Sequence, residues 1–278
     1  LCWQFAQAAQ EIATVATTLR DFEGAQPPAR SPAELRYLRG KLEHREVMLA
    51  FISDSPDVAA TESACQRWLA AAYPPDPAMH MPVAIAVIQL AAQRDLYRLW
   101  ETRVRGEAIA EICERHGIHY GDLFHHCMIG ASLFVEGDLA SAEDEYRTGL
   151  DEAVRLTGEG SRLTAMPALL LAELCYEQNR LDEARLLTGR YLDVAGGIGI
   201  VEQLVAGYVT AARLAWAAGH AAGASGTLEA ARRRALATGF TRLHAHAVEE
   251  ELREAALAGD RRTLTRIGRA EGLLRGHV

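Results

Sequence analysis

A motif that recurs about every forty residues constrains the fold of this chain more than any other feature. In each copy a short turn is followed by a helix whose first buried position holds a small residue. This residue is Ala142, Ala184 and Ala224 in three copies, and Leu264 takes its place in a fourth, so the spacings are 42, 40 and 40 residues. Such a period is typical of arrays whose units bury their apolar faces only against neighbouring units.

The composition between the turns predicts that each unit is a pair of helices. Runs rich in Ala, Leu, Glu and Arg carry apolar residues three and four positions apart, and no segment alternates like a half-buried strand. Gly137-Asp138, Gly219 and Gly259-Asp260 separate the runs. Glycine ends a helix in the left-handed conformation, and a following aspartate caps the next helix.

We therefore predict an all-α fold, a right-handed superhelix of about six to seven antiparallel helix pairs of 40–43 residues. Residues 1–278 are expected to form a single repeat domain, with irregular helices over 1–40 and repeats over 41–278, cut from a longer protein. Twelve positions before the anchors, Gly130, Ala172 and Ala212 are small, as close packing within a pair requires.

These residues resemble the tetratricopeptide repeat, whose usual step is about 34 residues. The best copy combines Gly130, Gly137-Asp138, Ala142 and Tyr146. The longer step found here, and the phrase Leu-Ala-Glu-Leu-Cys-Tyr-Glu-Gln-Asn-Arg-Leu-Asp-Glu-Ala over 171–184, are similar to the sensor region of the MalT-like, large ATP-binding LuxR-type transcription activators.

The resemblance implies an ATPase module ahead of this region, a helix-turn-helix module behind it, and an inducer received by the helical array. We expect no cofactor within the chain itself, so ATP is implied only for the longer protein. No GxxxxGK[ST] phosphate loop occurs, and Lys41, the only lysine, lacks the glycine and hydroxyl residues that such a loop needs.

Charge and cysteine content limit which compartment and which kinds of partner we expect for the chain. The net charge of −8 argues against direct contact with nucleic acid, because such binding relies on clustered positive charge. No run of about 18 apolar residues suggests a membrane span. Five scattered cysteines suit reduced core thiols in the cytoplasm better than a disulfide framework.

Aromatic and charged residues on the first helix of each pair are the candidates for a ligand site. In tetratricopeptide arrays the first helices line the inner surface, and the register of the anchors places ten such residues there. They are Phe124, Phe134, Glu173, Tyr176, Glu177, Arg213, Trp216, His246, Glu249 and Arg253. This mixture suits a small ligand with an apolar body and a few polar groups, or a peptide. The competing interpretation is that Glu173 merely pairs with Arg213 and that the aromatic residues pack between helices.

The segment between His116 and His126 is the densest polar cluster, but its spacing does not favour a metal site. His125 and His126 are adjacent on a helix and diverge by about 100°, so we expect at most one of them in any shared site and predict no metal. No nucleophile or carboxylate pair has a catalytic pattern, and we predict no enzymatic activity in this region.

The function predicted from the sequence is effector sensing by a domain of a cytoplasmic transcription activator. A small inducer would bind in the concave groove, and the ATPase and DNA-binding modules would receive the signal. The alternative is a scaffold that binds a partner protein or peptide and has no small-molecule effector. Self-association into a homo-oligomer stays open.

Overall fold

The computed structural model describes residues 5–25, 30–71, 73, 79–195 and 200–273, and every regular element in these ranges is an α-helix. The thirteen helices of this part of the chain are α1 (Phe5–Gly24), α2 (Pro32–Ile52), α3 (Val58–Ala70), α4 (His80–Asp95), α5 (Leu99–His116), α6 (His119–Glu136), α7 (Leu139–Thr157), α8 (Arg162–Glu177), α9 (Leu181–Ala195), α10 (Val201–Ala217), α11 (Ala221–Thr238), α12 (Thr241–Leu257) and α13 (Arg261–Ala270). The all-α prediction is confirmed. None of the described helices is long and apolar enough to cross a bilayer.

From α4 onward the helices form successive pairs. The first helix of each pair packs against its partner and also against the first helix of the next pair, so α4, α6, α8, α10 and α12 make one layer. We call these the A helices, and α5, α7, α9, α11 and α13 the B helices. α2 and α3 form a further pair before them, and α1 packs on α2. The chain is thus a helical-repeat superhelix, as predicted.

The turns within the pairs have the conformations that the repeat requires. Gly137 ends α6 with φ of 85°, and the next residue, Asp138, accepts a hydrogen bond from the backbone N–H of Ser141 at 3.2 Å. Asn179 takes the position of the glycine in the next turn, with φ of 60°. Asparagine tolerates this left-handed conformation better than most residues do.

Small residues bring the two helices of a pair together. Ala142, Ala184 and Ala224 are completely buried. At Gly130 an added Cβ would lie 2.6 Å from the ring of Tyr146, so only glycine fits at this crossing of α6 and α7. The residues that define the repeat are therefore those that set the helix spacing.

A group of charged residues, which we call the interior ion cluster, joins the early part of the array to its late part. The carboxylate of Asp54, in the turn after α2, accepts hydrogen bonds from the guanidinium of Arg242 and from its backbone N–H at 2.8 Å. Arg242, at the start of α12, also pairs with Asp95 at 3.1 Å and Glu202 at 3.2 Å. Arg94 pairs with the same two carboxylates, at 2.6 Å and 3.3 Å.

This cluster shows that the array closes on itself. Units of a repeat array ordinarily contact only their neighbours, yet Asp54 and Arg242 are 188 residues apart. The side chain of Asp54 is only 1% exposed, and that of Glu202 is 8% exposed. The superhelix therefore curves until the end of α2 reaches the start of α12.

Candidate functional site

A cavity of about 1060 Å³ lies between α1, α2 and the inner faces of the A helices. Its volume is at the upper end of the range of small-molecule sites, which are mostly apolar clefts with a few placed polar groups. Helices from both the N-terminal segment and the repeats supply its lining, so the fold as a whole forms the cavity.

α1 covers the cavity with an apolar stripe. Ala8, Ile12, Val15, Leu19 and Phe22 all line it and follow the spacing of three and four residues that places side chains on one helix face. At the N-terminal end of this helix, the ring of Phe5 packs 5.8 Å from the ring of Phe240, the residue just before α12. α1 is therefore held at the inner surface rather than projecting away from the array.

A second stripe lies on α2. Leu38, Leu42, Arg45, Leu49 and Ile52 line the cavity and alternate between steps of four and three. The helix begins with a capping box. The Ser31 side chain accepts a hydrogen bond from the backbone N–H of Glu34, and the Glu34 side chain accepts one from the backbone N–H of Ser31. The cap fixes where α2 starts and therefore which of its faces meets the cavity.

The A helices supply the opposite wall. α4 contributes Val87 and Ile88, and the first turns of α6, α8 and α10 contribute Phe124, Met166 and Gln203. The ring of Phe124 lies 4.8 Å from that of Tyr120, another lining residue, in a tilted aromatic pair. This part of the wall is the only one that the register of the repeat predicted.

Positive charge is concentrated at the cavity, although the chain as a whole carries a net charge of −8. The lining includes Arg30, Lys41, Arg45 and Arg162, against the single carboxylate of Glu11. In the part of the chain that the structure describes, no carboxylate pairs with Lys41, Arg45 or Arg162. Glu11 accepts a hydrogen bond from the side chain of Gln7 at 3.1 Å. The cavity therefore favours a ligand with an anionic group.

Of the ten predicted groove residues, only Phe124 lines this cavity. Phe134 and Tyr176 are half-buried and pack against the core of the repeats. Trp216 is also half-buried and packs against the core formed by α8 to α12. For these three aromatic residues the structure shows packing between helices, the competing interpretation of the sequence.

Three of the predicted charged residues, Glu177, Arg213 and Arg253, belong to a ladder near the C-terminal ends of the A helices. Arg213 of α10 donates to Glu177 of α8 at 3.0 Å and pairs with Glu250 of α12. Arg253 donates to Glu250 at 2.9 Å. The guanidinium of Arg213 also lies over the ring of Tyr176, 5.8 Å from its centre. This ladder ties three successive A helices together.

Glu173 stands apart from the ladder. The competing interpretation paired Glu173 with Arg213, but Arg213 pairs with Glu177 and Glu250 instead. Burial raises the pKa of Glu173 to about 7, and Arg213 only partly opposes this effect. Burial therefore favours the protonated form of the Glu173 carboxyl group.

The last two predicted residues, His246 and Glu249, are exposed on α12 and pair with each other at 3.2 Å. A contact between residues three apart on one helix surface connects no other element. The structure therefore does not bring these two residues to the cavity or to the ladder.

The structure brings His125 and His126 closer together than their spacing in the sequence suggests. One ligand atom from each of Asp122, His125 and His126 lies within 4.8 Å of the other two. Asp122 is three and four residues before the histidines and therefore lies between them, one turn earlier. The spacing of the two histidines alone does not reveal Asp122 as a third residue beside them.

Four described cysteines, Cys65, Cys113, Cys127 and Cys175, are free and buried. Burial raises the pKa of the Cys113 thiol to about 11 and those of Cys65 and Cys175 to about 12, and it raises the pKa of Cys127 as well. These thiols stay protonated at neutral pH, as expected for core residues. Cys2 lies outside the described residues.

Sequence reasoning missed the cavity because it followed the repeat, whose pattern is faint in the N-terminal segment. The signal was present in another form. The stripes on α1 and α2 have strict helical spacing, and two amphipathic helices next to an array need a surface against which to bury their apolar faces. We expected only irregular helices over 1–40, so those residues were not considered as site candidates.

No protein-family model matches the chain. The serine/threonine-protein kinase PknK of Mycobacterium tuberculosis is 32% identical over 147 residues, which are 51% of this chain and 13% of the kinase. PknK of Mycobacterium bovis matches to the same extent. The chain thus spans only a small part of these relatives. The crystal structure of BtubC (BKLC) from P. vanneervenii has a TM-score of 0.54 at 17% identity and covers 85% of this chain and 91% of its own. This second similarity supports the fold alone.

Proposed function

We propose that this chain is a regulatory helical-repeat domain that binds a small effector in the cavity beneath α1. The cavity is the observation that carries the proposal, because it combines a volume of about 1060 Å³ with a largely apolar lining and a few charged groups. The similarity of one half of the chain to a segment of a large kinase agrees with a regulatory role alongside other modules.

The lining favours a particular class of effector. Apolar side chains from α1, α2 and the A helices suit a hydrocarbon or aromatic body, and Lys41, Arg45 and Arg162 suit one carboxylate, sulfonate or phosphate. A neutral sugar would meet few hydrogen-bonding partners here. We therefore infer an effector with an apolar body and an anionic group.

Binding would act on the array through α1. This helix contacts α2 and, through Phe5, the residue before α12. An effector that fits only one position of α1 would select that position and the curvature that accompanies it. In a MalT-like activator, ATPase and DNA-binding modules outside this region would respond to that change, and the chain itself would carry out no catalysis.

Two fluorescent probes test the proposal. Anilinonaphthalene sulfonate has an apolar body and a negative charge, whereas Nile red is apolar and neutral. We expect the native chain to bind both, with a thermal midpoint that rises on binding because the ligand prefers the folded state. In Ala84→Phe, which narrows the cavity, both affinities should fall at least about tenfold, a loss of about 1.4 kcal/mol.

A charge variant separates the two features of the site. The Lys41→Ala, Arg45→Ala double variant should weaken binding of the sulfonate and leave Nile red unchanged. Arg36→Ala is the matched control, since Arg36 is exposed on the same helix and does not line the cavity. Ala60→Phe, on an exposed position of α3, controls for Ala84→Phe. Equal binding of both probes by all variants would contradict the proposal.

A further inference from the structure

The geometry points to a binding site for a divalent transition metal ion such as Zn²⁺ at Asp122, His125 and His126 of α6. This site is separate from the cavity, whose lining includes none of the three residues. Two imidazole nitrogens and one carboxylate oxygen are a common ligand set for zinc and other divalent transition metals. In the described part of the chain, these residues are the one group of three or more such side chains with this proximity.

Both histidines direct a free nitrogen toward the same carboxylate. Nδ1 of His125 lies 4.0 Å from one oxygen of Asp122, and Nε2 of His126 lies 3.8 Å from the other. These gaps are too long for hydrogen bonds. They are slightly wider than the separation of about 3.4 Å between two ligands of a tetrahedral ion with bonds of about 2.1 Å. A small side-chain rotation would therefore place all three ligands around one ion.

The other nitrogen of each ring faces a neighbouring helix. His126 Nδ1 lies 2.6 Å from Glu145 Oε2 of α7. His125 Nε2 lies beside Gly106 of α5. Metal-binding histidines ordinarily donate their second N–H to a carboxylate or carbonyl, which fixes the tautomer and the ring orientation.

The site also contains a buried polar atom with no hydrogen-bond partner. The side chain of His125 is 7% exposed, and its Nδ1 is buried without a hydrogen bond. A buried acceptor left unsatisfied costs about 1–3 kcal/mol, so such atoms are rare without a reason.

The charges near the site also suit a divalent cation. Asp122 and Glu145 supply two negative charges, and the side chains of Asp122 and His126 are 32% and 19% exposed, so an ion could enter from solvent and water could complete its coordination. The ligands come from α6, while α5 and α7 hold the histidine rings. A bound ion would therefore brace three consecutive helices.

Calorimetry with zinc chloride on the tag-free, chelator-treated chain tests this inference. We expect one Zn²⁺ per chain with a Kd below about 10 μM. Asp122→Asn, which keeps the shape of the side chain, should weaken binding at least tenfold. Glu145→Gln should weaken it about 10- to 100-fold, as loss of an orienting partner does. His119→Ala is the control, because His119 lies on the same helix and pairs with Glu152 instead.

X-ray absorption of the zinc-loaded native chain gives a result that does not depend on whether a variant folds. The expected first shell contains only nitrogen and oxygen, with two imidazoles at about 2.0–2.1 Å. A shell with sulfur, the absence of zinc binding, or binding that Asp122→Asn leaves unchanged would overturn the site. None of these results bears on the cavity, whose probes contain no metal.

Discussion

At the scale of single residues, the fold depends on a few positions where two helices nearly touch. Gly130 is the clearest of these, because the Tyr146 ring occupies the space that a Cβ would need. Glu173 shows a different residue-scale property, a carboxyl group whose burial raises its pKa to about 7. Each of the two gives a prediction that can be measured on the isolated chain.

Gly130→Ala is expected to destabilise the chain, although alanine favours helices. The added methyl group meets the Tyr146 ring, and overpacking of this kind costs about 1–3 kcal/mol. Gly189→Ala is the matched control, since Gly189 lies within α9 and an added Cβ there contacts nothing. It should stabilise by up to about 1 kcal/mol. Urea unfolding of both variants measures the difference, and equal effects would contradict the close approach of α6 and α7.

Glu173→Gln is expected to change the pH dependence of stability. The pKa of Glu173 is raised in the folded chain from its ordinary value of 4.5 to about 7, so the folded state binds the proton more tightly than the unfolded state. The free energy of unfolding contributed by this group therefore falls as the pH rises from about 4.5 to 7. Because glutamine cannot ionise, the free energy of unfolding of the variant should exceed that of the native chain by up to about 3 kcal/mol above pH 7, and by less near pH 5. Urea unfolding of the variant and the native chain at both pH values measures this difference in free energy. If it is the same at both pH values, the pKa of Glu173 is not raised.

At the scale of helices, the repeat predicts the A and B helices. It does not predict contacts between elements that lie outside one repeat. Ala142 and Gly137 follow from the local pattern because they act within one helix pair. The position of α1 depends on where the curved array leaves an apolar surface, which no single repeat encodes. The interior ion cluster likewise joins Asp54 to Arg242, and only the accumulated curvature brings them together.

Removing the arginine of that cluster should destabilise the chain strongly. Arg242→Ala leaves the carboxylate of Asp54 buried without its guanidinium partner, and such a loss costs about 3 kcal/mol or more. Arg233→Ala is the control, because Arg233 pairs with Glu229 on an exposed surface of α11. It should change stability by less than about 1 kcal/mol. If urea unfolding shows that Arg242→Ala and Arg233→Ala lower the free energy of unfolding equally, the cluster does not hold the array closed.

At the scale of the whole molecule, curvature is what creates the cavity. A repeat array that curls until its ends meet encloses space, and here α1 and α2 cover that space with apolar stripes and positive charge. The sequence predicted a ligand on the inner surface, but four of the ten residues that it assigned to the groove belong to the ladder around Arg213. That ladder instead joins successive A helices.

Hydrogen exchange measured by mass spectrometry, with and without saturating anilinonaphthalene sulfonate, locates ligand binding along the chain. We expect slower exchange in α1, in α2 and in the first turns of α6 and α8, where the lining residues lie. The B helices should be unaffected, since none of their residues lines the cavity. Protection confined to the B helices, or none in α1 and α2 at saturation, would contradict the effector site.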